Sequence, residues 1–233
     1  MIKPARRKTM SIKENIKNLE IPNYSKEQDD FNFYSHILGI PLGIGVFIAS
    51  IILYSLNKTD LGSMISLIIF SLTMILLYSI SSIYHKAKND SNYKKIKRVL
   101  DHCTIYLLIA GTYTPICVHI MKQNNIGLII LILEWALALL GVILNAINLK
   151  NKAIKVISMI LYILLGWMIL YSTGFLYLPQ ASFILILIGG IAYTLGSILY
   201  GIGHKNLWFH CVFHVFVLVG TIFQTIGVFM LYF

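Results

Sequence analysis

Seven long apolar runs, separated by short polar breaks, follow a polar and charged opening segment that ends near Asp30. The runs fall at about His36–Leu56, Leu61–His85, Leu100–Met121, Ile126–Leu149, Ala153–Leu178, Ala181–Gly203 and Leu207–Phe233. Each approaches the roughly 20 residues that a helix needs to cross the hydrocarbon core of a bilayer. The breaks are Asn57–Asp60, the longer Lys86–Val99 stretch, Lys122–Asn125, Lys150–Lys152, Pro179-Gln180 and His204–Asn206. This pattern predicts an all-α membrane protein with seven transmembrane helices over residues 31–233, preceded by a polar cytoplasmic tail over residues 1–30.

Basic residues orient the spans, because lysine and arginine stay preferentially on the cytoplasmic side. With seven crossings the tail and the second, fourth and sixth breaks share one side. That arrangement leaves only Lys58 and Lys122 of the 19 basic residues on the other. The N-terminus is therefore expected in the cytoplasm and the C-terminus outside. In the sixth run, Ala192 with Gly196 and Ser197 with Gly201 stand at i,i+4 and would let a neighbouring helix approach closely.

Composition agrees. Charged residues make up 12% and hydrophobic residues 58%, with a mean hydropathy of +0.78, where soluble domains carry about 25% charged residues. The net charge of +10 would suggest nucleic acid in a soluble chain, but here it is distributed as a topology signal, and no nucleic-acid partner is expected. Cys103, Cys117 and Cys211 lie in apolar runs without CxxC spacing and read as small buried residues. No cleavable signal peptide precedes the first run. Abundant lysine, asparagine and isoleucine suggest an AT-rich, bacterial genome, hence a bacterial plasma membrane.

Ionisable groups inside such runs are costly and need a partner or a purpose. Only two acids, Asp101 and Glu134, fall in or at the edge of an apolar run. Placed on the predicted topology, every histidine except His119 lies on the cytoplasmic side. His210 and His214 at i,i+4 emerge on one helix face, about 5–6 Å apart at Cβ, and His85 can add a third nitrogen from the second span. Three imidazoles with one open position are the pattern of a catalytic zinc, which lowers a bound water's pKa to about 7. Ser81 shares the face of His85, and Asp101 at similar depth could orient a ligand or accept a proton. An isolated HxxxH also fits two interfacial histidines bound to phosphates or backbone. Asp101 could equally cap a helix, and Ser81 could bond its own helix. His102 and His204 read as interfacial residues, and Glu134, far from the cluster, as the partner in a structural hydrogen bond.

Taken together, Ser81-x-x-x-His85, Asp101 at the head of the next run and His210-x-x-x-His214 resemble the haemolysin III family. That family belongs with the progestin and adiponectin receptors and, more distantly, the alkaline ceramidases. The flanking segments Ser81-Ser82-Ile83-Tyr84-His85, Ala110-Gly111-Thr112-Tyr113-Thr114-Pro115 and Phe209-His210-Cys211-Val212-Phe213-His214 agree. Asp29-x-x-Asn32-x-x-x-His36 looks like the family's acidic-x-x-Asn-x-x-x-His element, with aspartate where glutamate is usual. The resemblance covers Asp29 to Phe233. It implies zinc on His85, His210 and His214, Asp101 beside the ligands or as proton acceptor, and Ser81 near the metal-bound water. It also implies membrane lipids as partners. Hydrolysis of a lipid amide or ester leads the functional expectations, ahead of a sensor of membrane state with structural zinc. A lytic pore-former comes last, since the spans look like constitutive helices.

Overall fold

The computed structural model describes residues 11–89, 91–203 and 206–232. Residues 1–10 of the expected tail, and His204 and Lys205 of the sixth break, lie outside the described residues. All regular structure among the described residues is helical. The elements are α1 (Ile12–Lys17), α2 (Lys26–Ile37), α3 (Gly39–Ser55), α4 (Leu61–Lys86), α5 (Asn92–Met121), α6 (Ile126–Asn148), α7 (Lys152–Gly166), α8 (Met168–Tyr171), a 3₁₀ turn (Gly174–Tyr177), α9 (Gln180–Ile202) and α10 (Trp208–Phe229).

Six helical segments among the described residues are long and apolar enough to cross a membrane: the nearly continuous α2–α3, then α4, α5, α6, α9 and α10. Their faces are sorted accordingly. In α6, Gly127, Ile130, Glu134, Ala138, Gly141 and Asn145 recur at three- and four-residue steps and face inward. Ile129, Ile132, Leu139 and Ile143 point outward and are more than half exposed. Such an outer surface is stable only against lipid, where the bundle is held by close packing rather than by exclusion of water.

Small residues set that packing between α9 and α10. A Cβ on Gly189 would lie 2.8 Å from the Gly220 carbonyl oxygen, and a Cβ on Gly220 would lie 3.0 Å from that of Gly189. The predicted small-residue stripe takes part, since a Cβ on Gly196 would come within 2.8 Å of Phe216 Cβ. Because backbone cannot yield as a side-chain tip can, Gly220→Val must push the helices apart. The expected cost is about 1–3 kcal/mol, read as a lower melting temperature in detergent, and an unchanged melt would contradict this packing.

Three local departures from the hydropathy pattern have physical causes. Among the described residues before the first apolar run, two segments are helical and docked. Ser11 with Glu14 and Ser25 with Gln28 form capping boxes that start α1 and α2, and each box satisfies two otherwise orphaned backbone donors. Leu19 is buried with Val99, Cys103 and Leu149, while Asn15 donates to the Ile147 carbonyl. The Lys86–Val99 break is shorter than its charges suggest, because Ser91 caps α5 and residues from Asn92 onward are helical. The run Ala153–Leu178 is divided at Trp167 (φ −105°, ψ 7°) into α7, α8 and the 3₁₀ turn. Tyr113 mends the break. Its hydroxyl donates to the Gly166 carbonyl at 3.0 Å and accepts from Ile169 N–H at 3.1 Å, and Trp167 Nε1 donates to Thr194.

At the end of the bundle remote from His85, His210 and His214, Lys122 pairs with Asp60, which caps α4. That ammonium, with the Ser63 backbone N–H, pulls the Asp60 carboxyl down to about 2.

Candidate metal centre

His85 stands in the last turn of α4, and His210 and His214 in the first two turns of α10. The Tyr78 hydroxyl donates to Thr221 at 2.7 Å, and Thr221 also pairs with Tyr193 at 2.8 Å, which ties α4, α9 and α10 together below them. His36 from α2 stacks on His214 with ring centroids 3.6 Å apart and planes 18° apart. From the other side Tyr24, in the segment before α2, lies against both His85 and His210 at centroid distances of 5.4 and 5.3 Å. Burial pushes the Tyr24 phenol well above its ordinary value, so it serves as a neutral cover.

The three nitrogens converge. His210 Nε2 is 3.4 Å from His85 Nε2 and 3.0 Å from His214 Nε2, and the three residues offer ligand atoms all within 4.8 Å of one another. Four ligands placed tetrahedrally at the zinc–nitrogen distance would be about 3.3 Å apart, and the observed spacings straddle that value. A neutral imidazole carries one N–H and one lone pair. His85 uses Nδ1 toward Asp29 Oδ1 at 2.9 Å, so with that nitrogen as donor its Nε2 presents a lone pair. Three imidazole nitrogens facing one point cannot satisfy one another by hydrogen bonds alone. A cation between them resolves the conflict, and the donor set fits one.

The remaining candidates sort by distance and partner. Asp101 is half-buried on α5, and Ser81 is buried one turn below His85 with its side chain toward the Asp101 carboxyl. Asp101 is not part of the converging group but shares a cavity wall with His210. The His102 carbonyl accepts from Tyr162 at 2.7 Å, and its ring borders the same cavity. Glu134 is fully buried, yet neither of its carboxylate oxygens has a hydrogen-bond partner among the described residues. The structural hydrogen bond expected for it is therefore not formed within them. The three cysteines are buried and unpaired, as expected.

Two participants were not assigned from sequence. Asp29 bonds a candidate ligand directly, and Lys94 bonds Asp29. Asp29 stood in the acidic-x-x-Asn-x-x-x-His element without a role, and the Ser25 capping box starts the helix that places it on the face toward α4.

The cavity encloses about 550 Å³ between α5, α7, α9 and α10, within the 300–1,000 Å³ typical of ligand pockets. Asp101, His102, His210, Lys152 and Lys155 lie at one end and Tyr113, Gly166 and Gln224 toward the other, with apolar residues such as Ile105, Ile109, Met159 and Phe213 between. From His210 to Gln224 it follows α10 for about 21 Å.

Comparison with known proteins adds a family. The model for haemolysin-III-related proteins matches residues 24–225. The chain is 32% identical over 200 residues to the hemolysin-3 homolog of Bacillus subtilis (strain 168), covering 85% of this chain and 91% of that protein. It is 35% identical over 192 residues to hemolysin-3 of Bacillus cereus, covering 82% and 85%.

Proposed function

The chain belongs to the haemolysin-III-related family and is a multi-pass bacterial membrane protein, and on that premise we propose that it is a zinc-dependent hydrolase of a membrane lipid amide or ester. The observation that carries this reading is the shared wall. His210 belongs both to the converging imidazoles and to a long apolar cavity whose charged end also holds Asp101. Such a cavity suits an acyl chain, with the polar linkage of the lipid lying beside the histidines.

We take the protein to cross the membrane seven times, with α7, α8 and the 3₁₀ turn together as the fifth crossing. Helix α7 alone spans about 22 Å, short of the roughly 30 Å hydrocarbon core, and the two following pieces supply the rest. Contacts at both ends support this. Lys152 and Lys155 share the cavity end that holds Asp101, while Tyr177 accepts through its carbonyl from Gln123 and through its hydroxyl from Asn124 in the turn between α5 and α6. We take the N-terminus as cytoplasmic and the C-terminus as outside, which the distribution of basic residues supports.

His85, His210 and His214 would hold the zinc. When bound, zinc acts as a Lewis acid toward a carbonyl and lowers the pKa of a coordinated water. Asp101 would accept a proton as water attacks the carbonyl carbon and return it to the departing amine or alcohol as the C–N or C–O bond breaks. Ser81 would offer its hydroxyl to the developing oxyanion, a contribution that grows as charge builds in the transition state. The apolar wall fixes the acyl chain and excludes bulk water from the reacting end. Incubation of metal-replete protein with a total bacterial lipid extract is expected to release free fatty acid. Absence of any lipid turnover in that mixture would refute the hydrolase reading.

A further inference from the structure

Lys94 is fully buried, although nothing in the local sequence Asn92-Tyr93-Lys94-Lys95 distinguishes it from its exposed neighbours. Its Nζ donates to Asp29 Oδ2 at 2.8 Å and to Asn89 Oδ1 at 2.7 Å, and lies over the Tyr84 ring at 5.5 Å. The other oxygen of the same carboxylate, Oδ1, faces His85 Nδ1 at 2.9 Å. Buried ion pairs contribute little net stability once both charges have been taken out of water. Fold cohesion alone is therefore a weak reason for this one. Direction is a better reason: a carboxylate held only by His85 could turn about its own axis, but with its second oxygen on Lys94 it cannot.

We propose that Asp29 and Lys94 are positioning residues for the metal centre. Together they hold His85 as the Nδ1–H tautomer with its Nε2 lone pair toward His210 and His214. This inference rests on the metal reading given above and goes beyond it. It assigns the centre's affinity to residues that touch neither metal nor lipid, and it makes α2 part of the site. Hydrogen-bond partners of metal-bound histidines fix the ring and raise its basicity, and their loss lowers metal affinity about 10–100-fold. Because α2 supplies the carboxylate, metal occupancy and docking of α2 stabilise each other, as linkage requires.

The test measures zinc affinity by competition with a chromophoric chelator on full-length protein in detergent. Wild type, Asp29→Ala, Asp29→Glu and the double variant Asp29→Ala/Lys94→Met are compared, each also melted without metal. The double variant removes both members of the pair, so no unpaired buried ammonium is left to unfold the protein. Positioning predicts affinity about 10–100-fold weaker in Asp29→Ala and an equal loss in the double variant, since Lys94 acts only through Asp29. It further predicts recovery in Asp29→Glu, which restores the carboxylate. Wild-type affinity in the double variant would overturn the inference while leaving the metal centre standing, and so would a loss that only follows the metal-free melting temperature. A wild type that takes up no zinc would instead remove the metal reading, and this inference with it.

Discussion

Replacing His210 and His214 together by alanine is expected to lower the zinc content of the purified protein from about one ion per protomer to background. The expectation comes from geometry rather than from the presence of histidines as such. Three Nε2 atoms lie 3.0 and 3.4 Å apart along their chain of contacts, and removing two leaves His85 as a single neutral donor, which cannot hold zinc at micromolar concentration. Mass spectrometry on detergent-purified protein reads the stoichiometry directly. Melting the same samples gives a second reading, because a ligand at 100 times its Kd stabilises the folded state by about 2.7 kcal/mol and the double alanine variant should not respond to added zinc. A folded wild type that carries no metal after careful handling would reduce the centre to three packed imidazoles.

The second large effect is on turnover. Asp101→Asn preserves size and removes the base, so lipid hydrolysis should fall about 10²–10⁴-fold, the range that general-base catalysis supplies. Zinc content should remain at the wild-type level, since Asp101 lies outside the converging group. The pairing of the two measurements decides between roles for the metal. Lost turnover with metal retained makes Asp101 part of the chemistry. If the wild type turns over no lipid and its phenotype survives in a metal-loaded Asp101→Asn protein, the zinc is a clamp between α4 and α10, and the protein senses membrane state instead of hydrolysing lipid.

The bundle and the centre differ in how far the sequence revealed them. The apolar runs mark the long helices because lipid demands an unbroken stretch of apolar side chains with every backbone group bonded internally. His210 and His214 were legible because a helix repeats its face every three to four residues, and His85 because the topology brings it to the same depth. The fifth run looked continuous for a related reason: hydropathy reports side chains, whereas the break at Trp167 is a backbone event held by the Tyr113 hydroxyl from another helix. The role of Asp29, named only through the acidic-x-x-Asn-x-x-x-His element, and the burial of Lys94 were hidden differently. Lys94 sits in a basic stretch where each lysine carries the same topological information, and only tertiary contact shows that this one has left the solvent. The two capping boxes were readable as helix starts, yet a short polar helix has no apolar stripe to show where it docks. Glu134 stood out as an acid in an apolar run, and its spacing could not show that both oxygens would lie unpartnered among the described residues.

The spacing of the contributors along the chain also bears on biogenesis. Asp29 lies in the first turn of the first long helical segment, His85 ends the second, and His210 and His214 open the last. A nascent chain therefore carries the carboxylate and one imidazole through most of its synthesis with nothing to close the centre. On the zinc reading, metal capture would have to wait until α10 has been inserted and has packed against α9. On that reading, a chain interrupted anywhere before Trp208 could not be loaded, and the ion would act as a check that insertion has run to completion.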